Sequence, residues 1–385
     1  MFTAFTLSTR ELDSPELAAQ DIARQMAGHE LRKNTLGIVV CENEFADNGI
    51  LKSVCDALPF SCIGCNTTAS ATANDADELV LSVMVITSDK CEFVTALSRP
   101  VTADSQECIR DMYRESHDPG REKPALALAF GPMLPEVNDE SIIRLLDQGM
   151  EGGVPVFGSL GVHYEDMTYQ KTGAIHDGAF YGDRVALALL YGDFKPAFAT
   201  STLPDGKALR QKAVVTKAEN NLLVEVNNKP VLEYMAQLGL ALDNNFIAVH
   251  SVPIILDLGP DHPPASRTVY GVSPEGHLIC GGEVPEGAGL SMWEQDSDAV
   301  LFSAGVVMDT VLAHPDPRAV LVFSCHSRFL SLGFEEMAEF ELAAERLNGK
   351  IPWLAAYSGG EICPATLGER KVNYIYSDTM VACVL

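Results

Sequence analysis

A single order of pattern recurs three times along the chain and limits its fold more than any one motif does: an apolar run, a helix, a second apolar run, then a turn of small residues. In the first copy, "TLGIVVC" (35–41) reads as a buried strand, "ILKSVCDALP" (50–59) as a short helix stopped by Pro59, and "FSCIGC" (60–65) as a second strand. Short continuous apolar runs bounded by turn residues suit strands buried on both faces, and proline cannot continue a helix. The second copy is "PALALAFG" (124–131), the acid-started helix "NDESIIRLLDQGM" (138–150) and "VPVFGSLG" (154–161). The third is "AVLVFSC" (319–325), the helix "GFEEMAEFELAAERLNG" (333–349) and "IPWLAAYSGGE" (351–361). Repeats longer than about 50 residues do not make a solenoid; they point to duplicated α/β units.

Three turns take equivalent places: Gly64-Cys65-Asn66-Thr67, Gly158-Ser159-Leu160-Gly161 and Ser358-Gly359-Gly360-Glu361. Behind the first, "DELVLSVMVI" (77–86) and "CEFVTALSR" (91–99) flank "TSDK" as an expected hairpin, and "DRVALALLYG" (183–192) with "PAFATST" (196–202) repeats it behind the second. "SDTMVACVL" (377–385) supplies a strand behind the third. Residues 13–28 open on Ser-Pro and place Leu17, Ile22, Ala23 and Met26 near helical spacing. "NLLVEVNNKPVLEYMAQLG" (221–239) reads as strand, turn and helix, and residues 267–287 as a hairpin about Pro274-Glu275-Gly276. Charge and turn residues break the apolar pattern over 203–222. The expected domains are therefore 1–215, holding two repeats, and 216–385, holding the third. The expected class is α/β with mixed α+β character: mixed sheets with helices packed on them, in two domains.

A chain of 385 residues, 47% of them hydrophobic, has enough apolar material for two or three compact units and does not read as disordered. Its 27 Lys and Arg face 53 Asp and Glu, a formal charge of −26 that repels phosphate backbones and anionic lipid, so no nucleic-acid partner is expected. No stretch approaches 18 uninterrupted apolar residues, and Met1–Gln20 lacks the basic-then-apolar order of a signal peptide. A cytoplasmic protein without membrane insertion is expected. The ten cysteines lie in apolar strands and read as reduced, buried thiols rather than a disulfide framework.

The Cys-x-x-Cys pair Cys62 and Cys65 is not expected to act as a redox couple, because it lies in a strand and "NTTASATAND" after it is a poor helix former. Alternation along the strand sends the two thiols to opposite faces, and no second pair at metal spacing completes a zinc site. The chain has no G-x-x-x-x-G-K-[ST] loop, H-E-x-x-H motif or G-x-S-x-G elbow. "FSCHSR" (323–328) brings Cys325, His326 and Arg328 to a strand end, where the guanidinium suits a carboxylate. "AYSGGEICP" (356–364) sets Glu361, an acceptor for an ammonium, behind two glycines that let a ligand approach backbone N–H groups. His163, His176 and His326 lie nearest the turns.

At these turns the sequence resembles the FIST family, sensory proteins built of an N-terminal and a C-terminal FIST domain. "IGCNTTA" resembles the family's N-terminal Gly-Cys-Ser/Thr-Thr turn, "VPVFGSLG" its second glycine turn and "VTKAENNLLVEVNNKPVLEY" its junction segment. "SCHSR", "YSGGEICP" and "DTMVACVL" resemble the C-terminal domain's Cys-x-x-Arg, Gly-Glu-Ile-x-Pro and final Thr-containing strand, so the likeness runs over roughly residues 30–385. Three departures stand out: "ASATAN" replaces the usual Gly-Glu after the first turn, Gly158-Ser159 the usual double glycine, and Tyr376-Ser377 the usual His-Asn.

The resemblance implies a small-molecule sensor, with an amino acid or similar metabolite as ligand. It signals to a separate partner such as a histidine kinase, diguanylate cyclase or chemotaxis receptor. On this reading the turns converge on a cleft lined by Gly64, Cys65, Thr67, Gly158, Ser159, Cys325, Arg328, Gly360 and Glu361, with Arg328 on a ligand carboxylate and Glu361 on its ammonium. No enzymatic activity, metal or cofactor is expected. One alternative is a haem-binding nitric oxide sensor using His163, His176 or His326; another is a thiol-dependent enzyme using Cys325 or Cys65.

Overall fold

The computed structural model describes residues 2–134, 139–163, 171–202, 213–242, 253–259, 262–293, 295–368 and 370–385. The first repeat comprises β1 (Phe2–Thr9), α1 (Pro15–Met26), β2 (Asn34–Cys41), α2 (Asn43–Asp47), α3 (Ile50–Ala57), β3 (Cys62–Asn66), β4 (Ser70–Thr72), β5 (Ala76–Asp77) and β6 (Leu81–Ser88). The second runs β7 (Glu92–Leu97), α4 (Cys108–Ser116), β8 (Leu126–Gly131), α5 (Asp139–Met150), β9 (Val156–Leu160), β10 (Ala174–His176), β11 (Ala179–Tyr181) and β12 (Ala186–Tyr191).

The third repeat begins with β13 (Ala197–Ser201) and is then interrupted by an inserted unit: β14 (Ala213–Glu219), β15 (Leu222–Val226), β16 (Lys229–Pro230), α6 (Val231–Gln237), β17 (Ile254–Asp257), β18 (Ala265–Arg267), β19 (Val269–Val272), β20 (Leu278–Cys280) and β21 (Gly289–Met292). It resumes with α7 (Ser297–Leu312), β22 (Val320–Cys325), α8 (His326–Leu332), a 3-10 turn at Gly333–Glu335, α9 (Ala338–Leu347), β23 (Trp353–Ser358), β24 (Gly360–Leu367), β25 (Arg370–Tyr376) and β26 (Met380–Val384). Local signals set several of these helix starts. Ser14 accepts from the Leu17 N–H ahead of Pro15, and Asp296 accepts from the Ala299 N–H at 2.8 Å.

Each repeat contributes one parallel pair, β2 with β3, β8 with β9 and β22 with β23, and each pair sits in a six-stranded sheet. The sheet orders are β1-β6-β2-β3-β10-β11, β7-β12-β8-β9-β24-β25 and β13-β26-β22-β23-β4-β5. The hairpin behind each turn therefore joins a neighbour's sheet: β4–β5 goes to the third sheet, β24–β25 to the second and β10–β11 to the first. The exchange closes a ring.

This corrects the two hairpins expected from the sequence. β6 already has β1 and β2 on its two sides, and β12 has β7 and β8, so neither has an edge left for the strand that follows it. β7 and β13 instead open the next sheets. The mixed sheets, packed helices and two-domain α/β organisation with α+β character are as expected.

The inward faces of the three sheets share one core that includes Ile38, Ile63, Leu128, Phe157, Phe323 and Leu354, with Phe157 and Phe323 ring centroids 5.5 Å apart. The outward faces are covered by each repeat's own helices, and the inserted unit has its own core around Val215, Leu223, Leu256 and Leu290. Cys62 belongs to the outer cluster under α1 and α3 while Cys65 belongs to the central core, so the two thiols do face opposite ways. Residues 203–212 of the expected boundary lie outside the described residues.

Candidate functional site

The three segments expected as turns are largely strand: Gly64–Asn66 end β3, Gly158–Leu160 end β9, and Ser358 ends β23 with Gly360 and Glu361 opening β24; they stand at the carboxyl ends of the three parallel pairs, and they meet. Asn66 ties the first to the second: its Nδ2 donates to Val162 O at 2.9 Å, and its Oδ1 accepts from Gly173 N at 2.8 Å. Thr67 ties the first to the third, with its hydroxyl 2.7 Å from Tyr357 O and 2.8 Å from Ala69 O. The second and third are joined by strand pairing, Gly360 opposite Leu160 and Glu361 opposite Ser159, and by Gly359 N donating to Leu160 O at 2.9 Å. Gly64 and Gly158 face Val39 and Ala129 across the parallel pairs, where a Cβ would overlap the neighbouring backbone.

Cys65, Ser159, Ser358, Cys325 and Glu361 are all buried here. Ser358 Oγ donates to Glu361 Oε1 at 2.5 Å, the Thr379 amide faces the same carboxylate, and Oε2 is buried with no hydrogen-bond partner among the described residues. Burial pushes the Glu361 carboxyl well above the usual carboxylate range; the bond from Ser358 opposes that shift and the nearby Asp378 adds to it. Asp378 accepts from Ser327 Oγ and, at 2.9 Å, from Ser266 Oγ; burial raises it too. The Cys325 thiol is raised well above its ordinary value by burial and then by the Glu361 and Asp378 charges, and burial pushes Cys65 up to about 12. Both thiols are therefore protonated at neutral pH, the opposite of an activated nucleophile.

Arg328 does not join this group as a ligand fork. The sequence places it in a turn, but Cys325 ends β22, His326 opens α8, and Arg328 points with the buried face of that helix. Its Nη2 donates to Glu339 Oε1 at 2.6 Å and to Val300 O at 3.0 Å, and its Nη1 donates to Thr202 O at 3.0 Å. Ser324 Oγ donates to the other Glu339 oxygen at 2.8 Å. With both side chains fully buried and mutually satisfied, Arg328 has no fork left for a ligand carboxylate. Glu339 and Asp378 were not singled out from the sequence, and Asn66 was named there as part of the first turn but not as a site residue. Glu339 carried a signal, an acid on the buried stripe of α9 beside Phe340, Ala343 and Leu347.

The histidines do not converge. His163 Nδ1 lies 2.9 Å from Glu42 Oε1, His326 Nδ1 lies 3.2 Å from Thr68 Oγ1, and His176 sits on β10 beside Asp177. Among the described residues no group of three or more His, Cys, Asp or Glu is placed to hold a metal ion, and no helix is long and apolar enough to cross a membrane.

A cleft of about 1540 Å³ lies away from the turns, with α5 and the β24–β25 hairpin on one wall and the inserted unit on the other. None of the nine residues expected to line the ligand site and none of the three histidines lines it. Its walls carry both signs of charge, including Arg144, Asp147, Asp257, Arg267 and Lys371, over an apolar floor that includes Phe198. Arg267 is held by Glu140 Oε1 at 2.5 Å and Glu283 O at 3.0 Å, and Asp147 by Asn373 Nδ2 at 2.6 Å. Arg144 and Lys371 are exposed, and among the described residues neither forms an ion pair. Ser266, next to Arg267, is the residue that bonds Asp378, so one short segment touches both the cleft and the meeting point of the turns.

A FIST N domain matches residues 35–229 and a FIST C domain residues 230–364. No curated protein matches the chain. FIST domains are sensory, signal-transduction domains that bind small ligands. Three glycine-containing turns in the family's order, carried by two matched domains that span most of the sequence, make this chain a member of the FIST family.

Proposed function

We propose that the protein is a sensor for an amino acid or a similar small zwitterionic metabolite, held in the cleft between the three-sheet body and the inserted unit. Clefts between units are common ligand sites, and this one offers cations for a carboxylate and carboxylates for an ammonium. One observation carries the reading: Arg267 reaches Glu140 on the far wall while its neighbour Ser266 bonds Asp378 at the turns. A ligand that draws the two walls together shifts this segment, and with it the polar group around Asp378 and Glu361. Glu361, fully buried, responds to binding rather than making first contact. The thiols, held protonated by burial, support a binding role over a thiol-catalytic one. The signal passes to a separate partner, of which a histidine kinase, a diguanylate cyclase and a chemotaxis receptor are the expected kinds.

Thermal-shift screening with an amino-acid library tests this. A ligand at a hundred times its Kd stabilises the fold by about 2.7 kcal/mol, and Arg144→Ala or Lys371→Ala, at exposed positions, should abolish the shift without lowering the unliganded Tm. A flat response across the library sinks the proposal.

A further inference from the structure

We propose that the outer face of α7 is the docking surface for the signalling partner, and that the partner presents a basic amphipathic helix to it. The proposal deepens the sensory reading above and rests on it. Helix α7 is apolar around most of its circumference. Its inner face buries Val300 and packs Ala304, Val307, Met308 and Val311 on the third repeat's core. On its outer face Phe302 is 62% exposed and Val306, one turn on, 42%, with Leu312 at 43% further along. Gly305 leaves open space beside them. A lone exposed leucine needs no explanation, whereas a helix that is apolar on both faces and solvated on one has an unused contact surface. The link between α8 and α9 adds Phe334, which projects entirely into solvent, and both helices that it joins pack against α7.

Charge selects the occupant. Asp298, Asp309, Glu335, Glu341 and Glu345 stand exposed on α7, the link and α9. Arg346, the exposed cation of these helices, is neutralised by Asp309 at 2.6 Å. A second copy brings the same acids, from a chain of formal charge −26, against each other, and an anionic lipid surface is repelled in the same way. A helix with an apolar stripe between rows of Lys and Arg satisfies both the patch and its rim. The surface is also tied to the turns. α8 opens at His326, which touches Thr68, and Arg328 of the same helix bonds Val300 O in α7 at 3.0 Å.

The test uses the full chain and a fluorescein-labelled 18-residue synthetic helix with a leucine stripe flanked by lysines. Its counterpart, flanked by glutamates, is measured alongside by anisotropy at physiological salt. The lysine helix should bind and the glutamate helix should not. Phe302→Ser with Val306→Ser should weaken binding at least tenfold, as should Phe334→Ser, which alters no α-helix. Leu17→Ser, at an exposed leucine on α1, should leave binding unchanged. Equal binding of the two helices, no binding of either, or no loss in the variants overturns the proposal. So does a dimer in sedimentation that the double variant dissolves, since a second copy then covers the face. The double variant should retain any ligand-dependent thermal shift, so failure of the docking surface and failure of the ligand cleft remain distinguishable.

Discussion

Gly64 and Gly158 occupy matching positions in two of the three parallel pairs, and both are glycine for the same reason: the facing carbonyls of Val39 and Ala129 fill the space of a Cβ. Gly64→Ala should therefore cost about 3 kcal/mol or more, measured as a fall in the urea midpoint at unchanged m. Gly305→Ala, inside α7 with nothing near its Cβ, should instead gain up to about 1 kcal/mol. Glu361 gives a second residue-level prediction. Burial raises its proton affinity in the folded state, so stability falls as pH climbs from the ordinary carboxylate value toward the raised one; Asp378 acts in the same sense. Tm of the wild type should decline from about pH 5 to pH 8, and Glu361→Gln should flatten part of that decline. The sequence marked Glu361 by its place behind two glycines. It could not show that the side chain turns inward, because that depends on pairing with Ser159, roughly two hundred residues earlier.

At the scale of elements, the buried pair between α8 and α9 shows how a correct motif can carry the wrong inference. Cys325, His326 and Arg328 do stand together, but Arg328 leaves the strand end with the first turn of α8 and finds Glu339. Removing one partner strands the other as a buried charge, so Arg328→Ala should cost about 3–5 kcal/mol, while Arg328→Met with Glu339→Leu should recover most of it. Chemical denaturation of the two variants checks the difference. Helices with a clear start or stop signal, Ser14-Pro15 before α1, Pro59 after α3 and the acids opening α5, were legible from the sequence. α4 and α7 were not singled out. α7 lacks a polar face, so its periodicity is weak, and that same property leaves Phe302 and Val306 exposed.

For the whole molecule, the three repeats were legible but their exchange of hairpins was not. β4 and β5 hold three and two residues, too short to show an alternation, and no local pattern names the sheet that a strand will join. The cleft was illegible for the same reason, since its walls come from segments distant in sequence. The exchange predicts that no part of the ring is independent. A fragment of residues 1–202 leaves β4 without β23, β13 without β26 and β9 without β24. Its circular dichroism and amide NMR spectra should show loss of fixed tertiary structure, and a well-dispersed folded spectrum would contradict the interlock.

The position of β26 between β13 and β22 also governs when the protein can fold during synthesis. β13 leaves the ribosome long before residues 380–384 exist, and the gap between them takes roughly 10–40 s of translation. Until β26 is made, β13 and, once it has emerged, β22 lack the strand that sits between them, and the edges that pair with it stay open to any chaperone or neighbouring nascent chain. The folded state is a closed ring, and its assembly must wait for the strand that closes it.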